Sequence, residues 1–443
     1  MWVWETRWLG RRVSHKGDLL NSGIRCGINP QGPVDVLLVN ANNRQGLAVA
    51  RSLARRGISF ILVSANLQGP ASHSRFVKHE VFAPSPLAKG EAVVEFLLEI
   101  IKQYEIPLAI PASDQALVLF DRYRSSLEGQ TKLALANPQA VRNVLDKRLN
   151  LELARGLGVP CPLQFELQDP RQIPEMIQAL GLPIVLKRPG VPNSPDAPDF
   201  NFRVLYAHTE QQLRGYVQEH CRNGSYPIFQ ECAVGDVHNL CCFAVQGELI
   251  AVHEYHSIRR QDGVGVLRKI VAPLPDLVEH TRHLLRALNW DGVAHVAFFI
   301  SHDGKKKWYM ETNGRFWAST EGSVHAGWDF PYWVYRYFLH GEKPVPGEIK
   351  IGSMTCWHYG DLMALMQYFR GGESPTTGTN PGKLRALWQY LSDFSPGIHS
   401  DVFQWNDPMP GLMEHSALAS ISWQFLRNKL AQPFKTVRPE HAD

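Results

Sequence analysis

The stretch WYMETNGRFWAS, residues 308–319, is the most informative part of this chain. Its apolar start predicts a strand, and on an extended backbone the side chains of Glu311 and Asn313 share one face. A carboxylate and an amide oxygen suit a hard cation such as Mg²⁺, and the guanidinium of Arg315 can meet a phosphate oxygen beside it. Asn-Gly is also a common tight-turn dipeptide, so this segment by itself predicts a hairpin and a metal site equally.

The composition of the chain argues against several classes of protein. A length of 443 residues predicts about three domain-sized units, and an apolar share of 44% is enough for a core. The 46 basic and 42 acidic residues give a net charge of +4 without a run of Lys or Arg, so no nucleic-acid partner is expected. No apolar run approaches the ~18 residues that a membrane span needs.

The cysteines and the first residues of the chain predict a cytoplasmic location. The seven cysteines are odd in number and include no CxxC pair, so neither a disulfide framework nor a zinc site is expected. A reducing compartment fits this pattern best. Residues 1–32 are polar and dotted with arginine, and they lack an apolar signal core and a small-residue cleavage site.

Strands alternate with helices near the beginning of the chain. Apolar runs at residues 34–40, 60–63 and 107–111, with helical spacing between them, predict a parallel sheet that ends near residue 135. The first strand–helix turn, NANNRQG, has one glycine instead of GxGxxG, which argues against a nicotinamide site. Asp114 follows the third strand, where ligands of such sheets gather, but a helix N-cap is the favoured interpretation.

The order of these motifs resembles that of the ATP-grasp superfamily. The stretch that contains Glu311 resembles the family's metal-binding motif Glu-x-Asn-Pro-Arg, with Gly314 in place of the proline. The resemblance covers about residues 34–340, and the chain is similar to proteins built like one half-domain of carbamoyl-phosphate synthetase, many of them carboxylate–amine ligases. It implies an α/β fold class, with an N-terminal parallel α/β domain followed by a two-lobed ATP-grasp α+β fold.

The resemblance divides the chain into five expected units. They are an N-terminal extension at 1–33, a pre-ATP-grasp α/β domain at 34–136, a small lobe with the nucleotide lid at 137–232, a catalytic lobe at 233–341 and a C-terminal extension at 342–443. Residues 188–204 are rich in Pro, Asn and Asp, which predicts a lid that is poorly ordered without nucleotide. A final helix is expected near residues 422–429.

A nucleotide site follows from the resemblance. Lys187 closes the apolar run PIVLK, and a lysine in such a place needs an anionic partner, by resemblance the ATP phosphates. The expected ATP-binding residues are Lys147, Lys187, Gln230, Glu231, Ala233, Val234 and His238. Taken alone, Lys147 is an ordinary surface lysine. His238 stands where the family has an acid for the ribose hydroxyls, so an ordinary strand histidine is an equal alternative for it.

Two departures from the family pattern affect the predicted site. Residues 188–204 contain only Gly190, whereas many relatives carry several glycines whose backbone N–H groups cradle phosphate. Ala297 stands at the position of the family's acidic ligand for the first Mg²⁺, and a methyl group cannot bind a metal. His295 lies two residues back on the same face, and imidazole is a better ligand for Mn²⁺ than for Mg²⁺.

The catalytic end of the site is expected to be rich in arginine. Arg315 would neutralise the phosphoryl oxygens, while Arg260 and Arg268 are candidates for binding the acceptor's carboxylate or phosphate. Arginines on a loop are equally often solvated, and that alternative stays open for both. The expected cofactors are ATP and Mg²⁺, with Mn²⁺ as the alternative metal, and the expected metal ligands are Glu311 and Asn313.

Two functions from different classes are consistent with these residues. The first is an ADP-forming ligase, in which a carboxylate attacks the γ-phosphate and an amine then displaces phosphate from the acyl phosphate. The second is a nucleotide-binding protein with a degenerate metal site and little ligase activity. Within the first class, an enol oxygen can replace the carboxylate. The expected partners are a small-molecule carboxylate or enol and an amine or amino acid, and a homodimer is a further expectation.

Overall fold

The computed structural model describes residues 25–26, 30, 32–65, 69–83, 90–191, 200, 202–221, 225–261, 263–372, 374, 376 and 380–414. Three expectations fall wholly or partly outside the described residues. They are most of the N-terminal extension at 1–33, the part of the lid at 192–199 and 201, and the final helix near 422–429. The mobility of the lid therefore stays a prediction.

Three β-sheets and their covering helices make up the described part of the chain. The strands are β1 (Arg25–Cys26), β2 (Val36–Val39), β3 (Phe60–Ser64), β4 (Glu80–Phe82), β5 (Leu108–Pro111), β6 (Lys132–Leu133), β7 (Gln164–Phe165), β8 (Ile184–Lys187), β9 (Val204–Ala207), β10 (Ile228–Glu231), β11 (Asp236–Val245), β12 (Glu248–Gln261), β13 (Val264–Val271), β14 (Gly292–Ile300), β15 (Lys307–Asn313), β16 (Met354–Cys356) and β17 (Ile398–Ser400). The helices are α1 (Arg44–Arg55), α2 (Gly90–Gln103), α3 (Asp114–Arg122), α4 (Arg124–Glu128), α5 (Pro138–Leu145), α6 (Lys147–Gly156), α7 (Ile173–Leu180), α8 (Glu210–His220), α9 (Pro275–Ala287), α10 (Thr320–His325), α11 (Phe330–His340), α12 (His358–Phe369) and α13 (Lys383–Ser392). Two 3₁₀ turns lie at Pro70–His73 and Pro170–Gln172. None of the described helices is long and apolar enough to cross a membrane.

The first sheet has the strand order β1-β4-β3-β2-β5-β6. Strands β2 to β6 pair in parallel, and β1 joins the edge antiparallel. Val36 and Leu38 of β2 pack in the cluster that contains α1, whereas Leu37 and Val39 pack on the opposite face with α2 and α3. Both faces are covered, as a parallel sheet requires. The parallel N-terminal sheet predicted from the sequence is confirmed.

The second sheet is antiparallel and has the strand order β7-β10-β8-β9. Its core lies against α7 and α8, whose Met176 and Leu213 are buried with Leu186 and Phe229 of the sheet. Strand β8 ends at Lys187, which lies directly opposite the first residue of β10. The end of β8 therefore presents its lysine at the rim of this sheet.

The third sheet has the strand order β15-β14-β11-β12-β13-β16-β17 and is antiparallel except for the pair β16–β17. Alternate residues of β11 point to opposite faces, as a strand period of two requires. Leu240 packs with α5, α6 and α9, whereas Cys241 packs with α1, α11 and the first sheet. The second of these faces carries the candidate site described below.

Helices α5 and α6 pack on the third sheet. Both helices belong to the unit expected at 137–232, yet their buried residues pack against the third sheet. Val141 and Leu151 lie in one cluster with Leu240 and Val296. The unit bounds remain predictions, and α6 carries Lys147 at its first position.

The segment expected as a C-terminal extension contributes to the third sheet. Its strands β16 and β17 extend that sheet beyond β13, and α12 packs on β12 and β13. Residues 401–407 lie against α1 of the first sheet, where the fully buried Arg51 forms an ion pair with Asp407 at 2.9 Å. This segment therefore connects the first sheet to the third.

Candidate functional site

The centre of the candidate site is the pairing of β14 with β15. Ala297 lies directly opposite Glu311, and His295 lies directly opposite Asn313. The four side chains share one face of the sheet, because directly opposed residues of antiparallel strands point the same way. The prediction that Glu311 and Asn313 share a face is confirmed.

The Asn-Gly dipeptide does not form a β-hairpin. Strand β15 ends at Asn313, and the chain continues through Gly314 towards α10. A Cβ on Gly314 would lie 2.4 Å from Cη2 of Trp290, closer than any side chain can approach. Contact with the indole therefore explains why the position is glycine, and a residue with a Cβ, proline included, would need the indole to move.

Two lysines from different elements approach Glu311. Lys147 Nζ at the start of α6 lies 3.3 Å from Glu311 Oε2. Burial acts to raise the pKa of Glu311, but Lys147, the amide of Asn313 and Lys187 overcome it and hold that pKa well below its usual range. The carboxylate is therefore ionised at neutral pH and surrounded by cations.

Lys187 is the second lysine of this cluster. Burial is the main reason that its pKa is lowered from 10.5 to about 8, and Lys147 and the exposed Arg203 act in the same direction, against the opposing effect of Glu311. The start of α6 is joined to the chain beyond β8, because the backbone N–H of Lys147 donates to the carbonyl of Pro189 at 2.9 Å. Two lysines separated by forty positions thus meet one carboxylate, and an anionic ligand would relieve their mutual repulsion.

The expected hinge follows β10. Glu231 Oε1 accepts hydrogen bonds from Leu163 N at 2.9 Å and from Trp308 Nε1 at 3.1 Å, so this carboxylate ties together three segments. Gln230 is buried, and neither of its amide atoms has a hydrogen-bond partner in the described chain. Ala233 and Val234 come next, with Val234 exposed. Their contacts with an adenine edge stay a prediction.

His238 has a carboxylate partner that the sequence did not reveal. Its Nδ1 lies 2.5 Å from Oε1 of the buried Glu254 on the neighbouring strand. The other oxygen of Glu254 accepts from Leu274 N at 3.1 Å. The structure thus places the carboxylate of Glu254 beside His238, and the assignment of His238 to the ribose stays a prediction.

Asp114 is not the N-cap of α3. Ser113 caps that helix by accepting from Ala116 N, whereas Asp114 forms a two-pronged ion pair with Arg315. The two bonds are Nε–Oδ1 at 2.9 Å and Nη2–Oδ2 at 3.0 Å. Burial acts to lower the pKa of Arg315, but the Asp114 carboxylate outweighs it and raises that pKa. Asp114, at the start of α3, therefore holds the expected catalytic arginine in a fixed orientation.

The two candidate acceptor-binding arginines both have carboxylate partners. Arg268 is buried in an ion pair with Asp401 and also donates to Gly265 O at 2.7 Å. Arg260 Nη2 lies 3.7 Å from Asp236 Oδ1. Their assignment to an acceptor stays a prediction, and it requires these pairs to open or to be shared.

His295 is a neutral imidazole in an aromatic wall. Burial lowers its pKa to about 4, and Arg315 acts in the same direction. The ring stacks between Tyr255 and Trp317, and the hydroxyl of Tyr255 lies 3.3 Å from Nε2. A neutral ring nitrogen can accept a hydrogen bond or bind a borderline metal such as Mn²⁺.

Glu311 and Asn313 fit a divalent cation by the chemistry of their donor atoms. The amide nitrogen of Asn313 donates to Glu311 Oε1 at 3.2 Å, which leaves the amide oxygen and Glu311 Oε2 for a cation. Both are hard oxygen donors that suit Mg²⁺. The ammonium of Lys147 supplies a positive charge to Glu311 in the absence of a cation.

A second acidic group on the chain does not fit a metal. Cys356, Asp361 and Asp393 are buried and lie close together in the described chain. The guanidinium of Arg259 already occupies the space between the two carboxylates, with Nη2 2.7 Å from Asp361 Oδ2. Burial raises the pKa of Cys356 well above its usual range, so its thiol stays protonated. This group is an ion-pair network.

Comparisons with known proteins show similarity at the level of the fold. No family model and no curated protein matches the chain. Biotin carboxylase from Campylobacter jejuni in complex with β,γ-ATP aligns with a TM-score of 0.59 and 14% identity over 72% of this chain and 74% of that chain. N5-carboxyaminoimidazole synthetase from Staphylococcus aureus aligns with a TM-score of 0.57 and 16% identity, over 77% of this chain and 86% of that chain. A third similar structure is the biotin carboxylase domain of Hydrogenobacter thermophilus 2-oxoglutarate carboxylase in complex with MgADP, ADP and bicarbonate. It aligns with a TM-score of 0.57 and 15% identity, over 73% of this chain and 74% of that chain.

Proposed function

Because the chain has the ATP-grasp fold, we propose that it is an ATP-dependent ligase that forms an amide or related C–N bond and releases ADP and phosphate. The observation that carries the proposal is the cluster of Lys147, Lys187 and Glu311, which joins the rim of the second sheet to the third sheet. Similar folds have been solved with ATP and with MgADP. The cluster offers positive charge for phosphates and a carboxylate for the metal that accompanies them.

Different residues of the proposed site contact the phosphates, the metal and the adenine. Lys147 and Lys187 bind phosphate oxygens as point charges. Glu311 and Asn313 would hold Mg²⁺, or Mn²⁺, and the cation would supply positive charge that neutralises the phosphates. The hinge after Glu231 places the adenine. Binding of the cation requires Lys147 to leave Glu311 for a phosphate, which exchanges one charge-assisted contact for another.

The proposed chemistry has two steps and no side-chain nucleophile. An acceptor carboxylate oxygen attacks the γ-phosphorus, the bond from that phosphorus to the bridging oxygen of ADP breaks, and an acyl phosphate forms. The amine nitrogen then attacks the acyl carbon, inorganic phosphate leaves and the nitrogen loses a proton. Arg315, held by Asp114, stabilises the charge on the transferring phosphoryl group. An enol oxygen can take the place of the carboxylate in the first step.

Two features favour a nucleotide-binding protein with little ligase activity as the second candidate. Arg315 is already neutralised by Asp114, and Ala297 removes one metal-binding carboxylate. A site with these two changes can hold a nucleotide and transfer its phosphoryl group slowly. The acceptor, a homodimeric assembly and a cytoplasmic location remain predictions for either candidate.

Release of ADP tests the ligase against the binding protein. We expect the wild-type chain to release ADP from ATP when Mg²⁺ or Mn²⁺ is present with pooled amino acids and small carboxylic acids. A coupled assay measures ADP, and mass spectrometry identifies the condensed product. Omitting either pool should reduce ADP release to background. Tight nucleotide binding without ADP release from any pool would contradict the ligase and support the second candidate.

Nucleotide affinity should depend on the charge of Lys187. Loss of its charge-assisted phosphate contact in Lys187→Ala should weaken ATP binding by about 1.5–3 kcal/mol. Since the pKa of Lys187 is about 8, the wild-type affinity should fall as the pH rises above 8, well before an ordinary lysine with a pKa of 10.5 loses its proton. Lys187→Arg is the control, because its guanidinium stays charged over that range.

Calorimetric titration with a non-hydrolysable ATP analogue between pH 7 and pH 10 measures this dependence. An unchanged affinity in Lys187→Ala would remove Lys187 from the nucleotide site. An equal fall with pH in wild type and Lys187→Arg would assign the titration to another group.

A further inference from the structure

We propose that Asn239 supplies a metal ligand in place of the carboxylate that is missing at Ala297. The proposal rests on the proposed function, because it concerns the cation that accompanies the nucleotide. It follows from a row of side chains that crosses four neighbouring strands of the third sheet. The row contains, in order, Tyr255, Asn239, Ala297 and Glu311, and we call it the Ala297 row.

All four members of the Ala297 row point to the same face of the sheet. Each is directly opposite the next in the antiparallel register, and opposed side chains share a face. The flanking residues of β11 confirm this orientation, since Leu240 packs on the opposite face. Asn239 and Glu311 therefore flank the methyl group of Ala297 from its two sides.

The side chain of Asn239 is buried but has no internal partner. Asn239 is 6% exposed, and none of the described residues forms a hydrogen bond with its amide. Its amide atoms keep some contact with solvent, since neither belongs to the fully buried side-chain atoms that lack a hydrogen-bond partner. A ligand at the Ala297 row can therefore reach the amide oxygen, which no described side chain occupies.

The spacing of the row suits a cation held between Asn239 and Glu311. Neighbouring strands lie about 4.8 Å apart, so the backbones of β11 and β15 are about 10 Å apart at this row. Two bonds from Mg²⁺ to oxygen cover about 4 Å of that distance, and the two side chains cover the remainder. Because Ala297 has only a methyl group, its side chain occupies little of the space between Asn239 and Glu311.

An amide ligand from Asn239 in place of a carboxylate at position 297 makes the metal site less negative. A carboxylate at position 297 would give two negative ligands, whereas Asn239 and Glu311 together provide one. Lys147 and Lys187 lie beside Glu311, so fewer negative ligands mean weaker attraction for a divalent cation. The arrangement therefore binds its metal mainly together with the nucleotide, whose phosphates supply the remaining charge.

Binding of Mn²⁺ in the presence of a non-hydrolysable ATP analogue tests this assignment. Electron paramagnetic resonance of free Mn²⁺ gives the affinity without any turnover. We expect Asn239→Leu, which keeps the size of the side chain, to weaken Mn²⁺ binding about tenfold. Asn239→Asp should tighten it, since a carboxylate replaces the amide oxygen. Adding Ala297→Glu to Asn239→Leu should restore the affinity.

The controls separate a ligand from a structural residue. Each variant is compared with wild type for its unfolding temperature and for its affinity towards the analogue without divalent metal, neither of which should change in Asn239→Leu. Equal Mn²⁺ affinity in wild type and Asn239→Leu would overturn the assignment, as would a weakening in Asn239→Asp or a failure of Ala297→Glu to restore binding. A wild-type chain that binds no ATP analogue at all would instead overturn the proposed function, and this inference with it.

Discussion

Glu311→Ala should abolish metal-dependent release of ADP. Glu311 is the carboxylate at the centre of the cation cluster, and Lys147, Asn313 and Lys187 all hold its pKa well below the usual range. Its removal takes away the one negatively charged ligand of the proposed metal site and leaves two lysines without a counter-charge. Loss of a single electrostatic group in a preorganised site typically costs 10²–10³-fold in rate, so activity near background is expected.

Two variants make the Glu311 test specific to the metal. Ala297→Glu restores a carboxylate directly opposite Glu311, so it should lower the metal concentration that gives half-maximal ADP release. Glu231→Gln is the matched acidic control, because Glu231 binds Leu163 N and Trp308 Nε1 and should affect nucleotide binding more than metal dependence. An active Glu311→Ala together with an unchanged metal dependence in Ala297→Glu would disprove this metal site.

The features that the sequence predicted correctly depend on local pattern. Apolar runs separated by amphipathic helices identified the parallel first sheet, because burial on both faces requires continuous apolar strands. The spacing of two between Glu311 and Asn313 correctly predicted a shared face, because a strand has a fixed period. The turn alternative was wrong, since the contact of Gly314 with Trp290 depends on tertiary packing.

The partners of the charged residues could not be predicted in the same way. Arg315 pairs with Asp114, which lies 201 positions earlier, and Arg268 pairs with Asp401, which lies 133 positions later. Such pairs depend on how the sheets meet and leave no periodic signal in the chain. The helix-cap interpretation of Asp114 was favoured because Asp is common at the N-cap position of helices. In the structure Ser113, one residue earlier, is the N-cap instead.

Arg51→Ala should destabilise the protein by about 3–5 kcal/mol, because it leaves a buried carboxylate without its counter-charge. Arg51 is fully buried on α1 and binds Asp407 at 2.9 Å, Val402 O at 2.7 Å and Asp401 O at 3.3 Å. Asp407 also accepts from Ser74 Oγ at 2.6 Å. The guanidinium thus holds the segment that brings Asp401 to Arg268, and it joins the first sheet to the third.

Arg56→Ala on the same helix is the matched control for Arg51→Ala. Its ion pair with Asp329 has a similar length of 3.0 Å, but the arginine side chain is 42% exposed, so a loss of at most about 1 kcal/mol is expected. Urea denaturation followed by circular dichroism gives both free energies of unfolding. Equal small losses in the two variants would show that Arg51 does not anchor this segment. A large loss confined to Arg51→Ala means that the segment at 401–407 is needed to hold the first sheet against the third sheet, and with it α3, which carries Asp114, against the segment after β15 that carries Arg315.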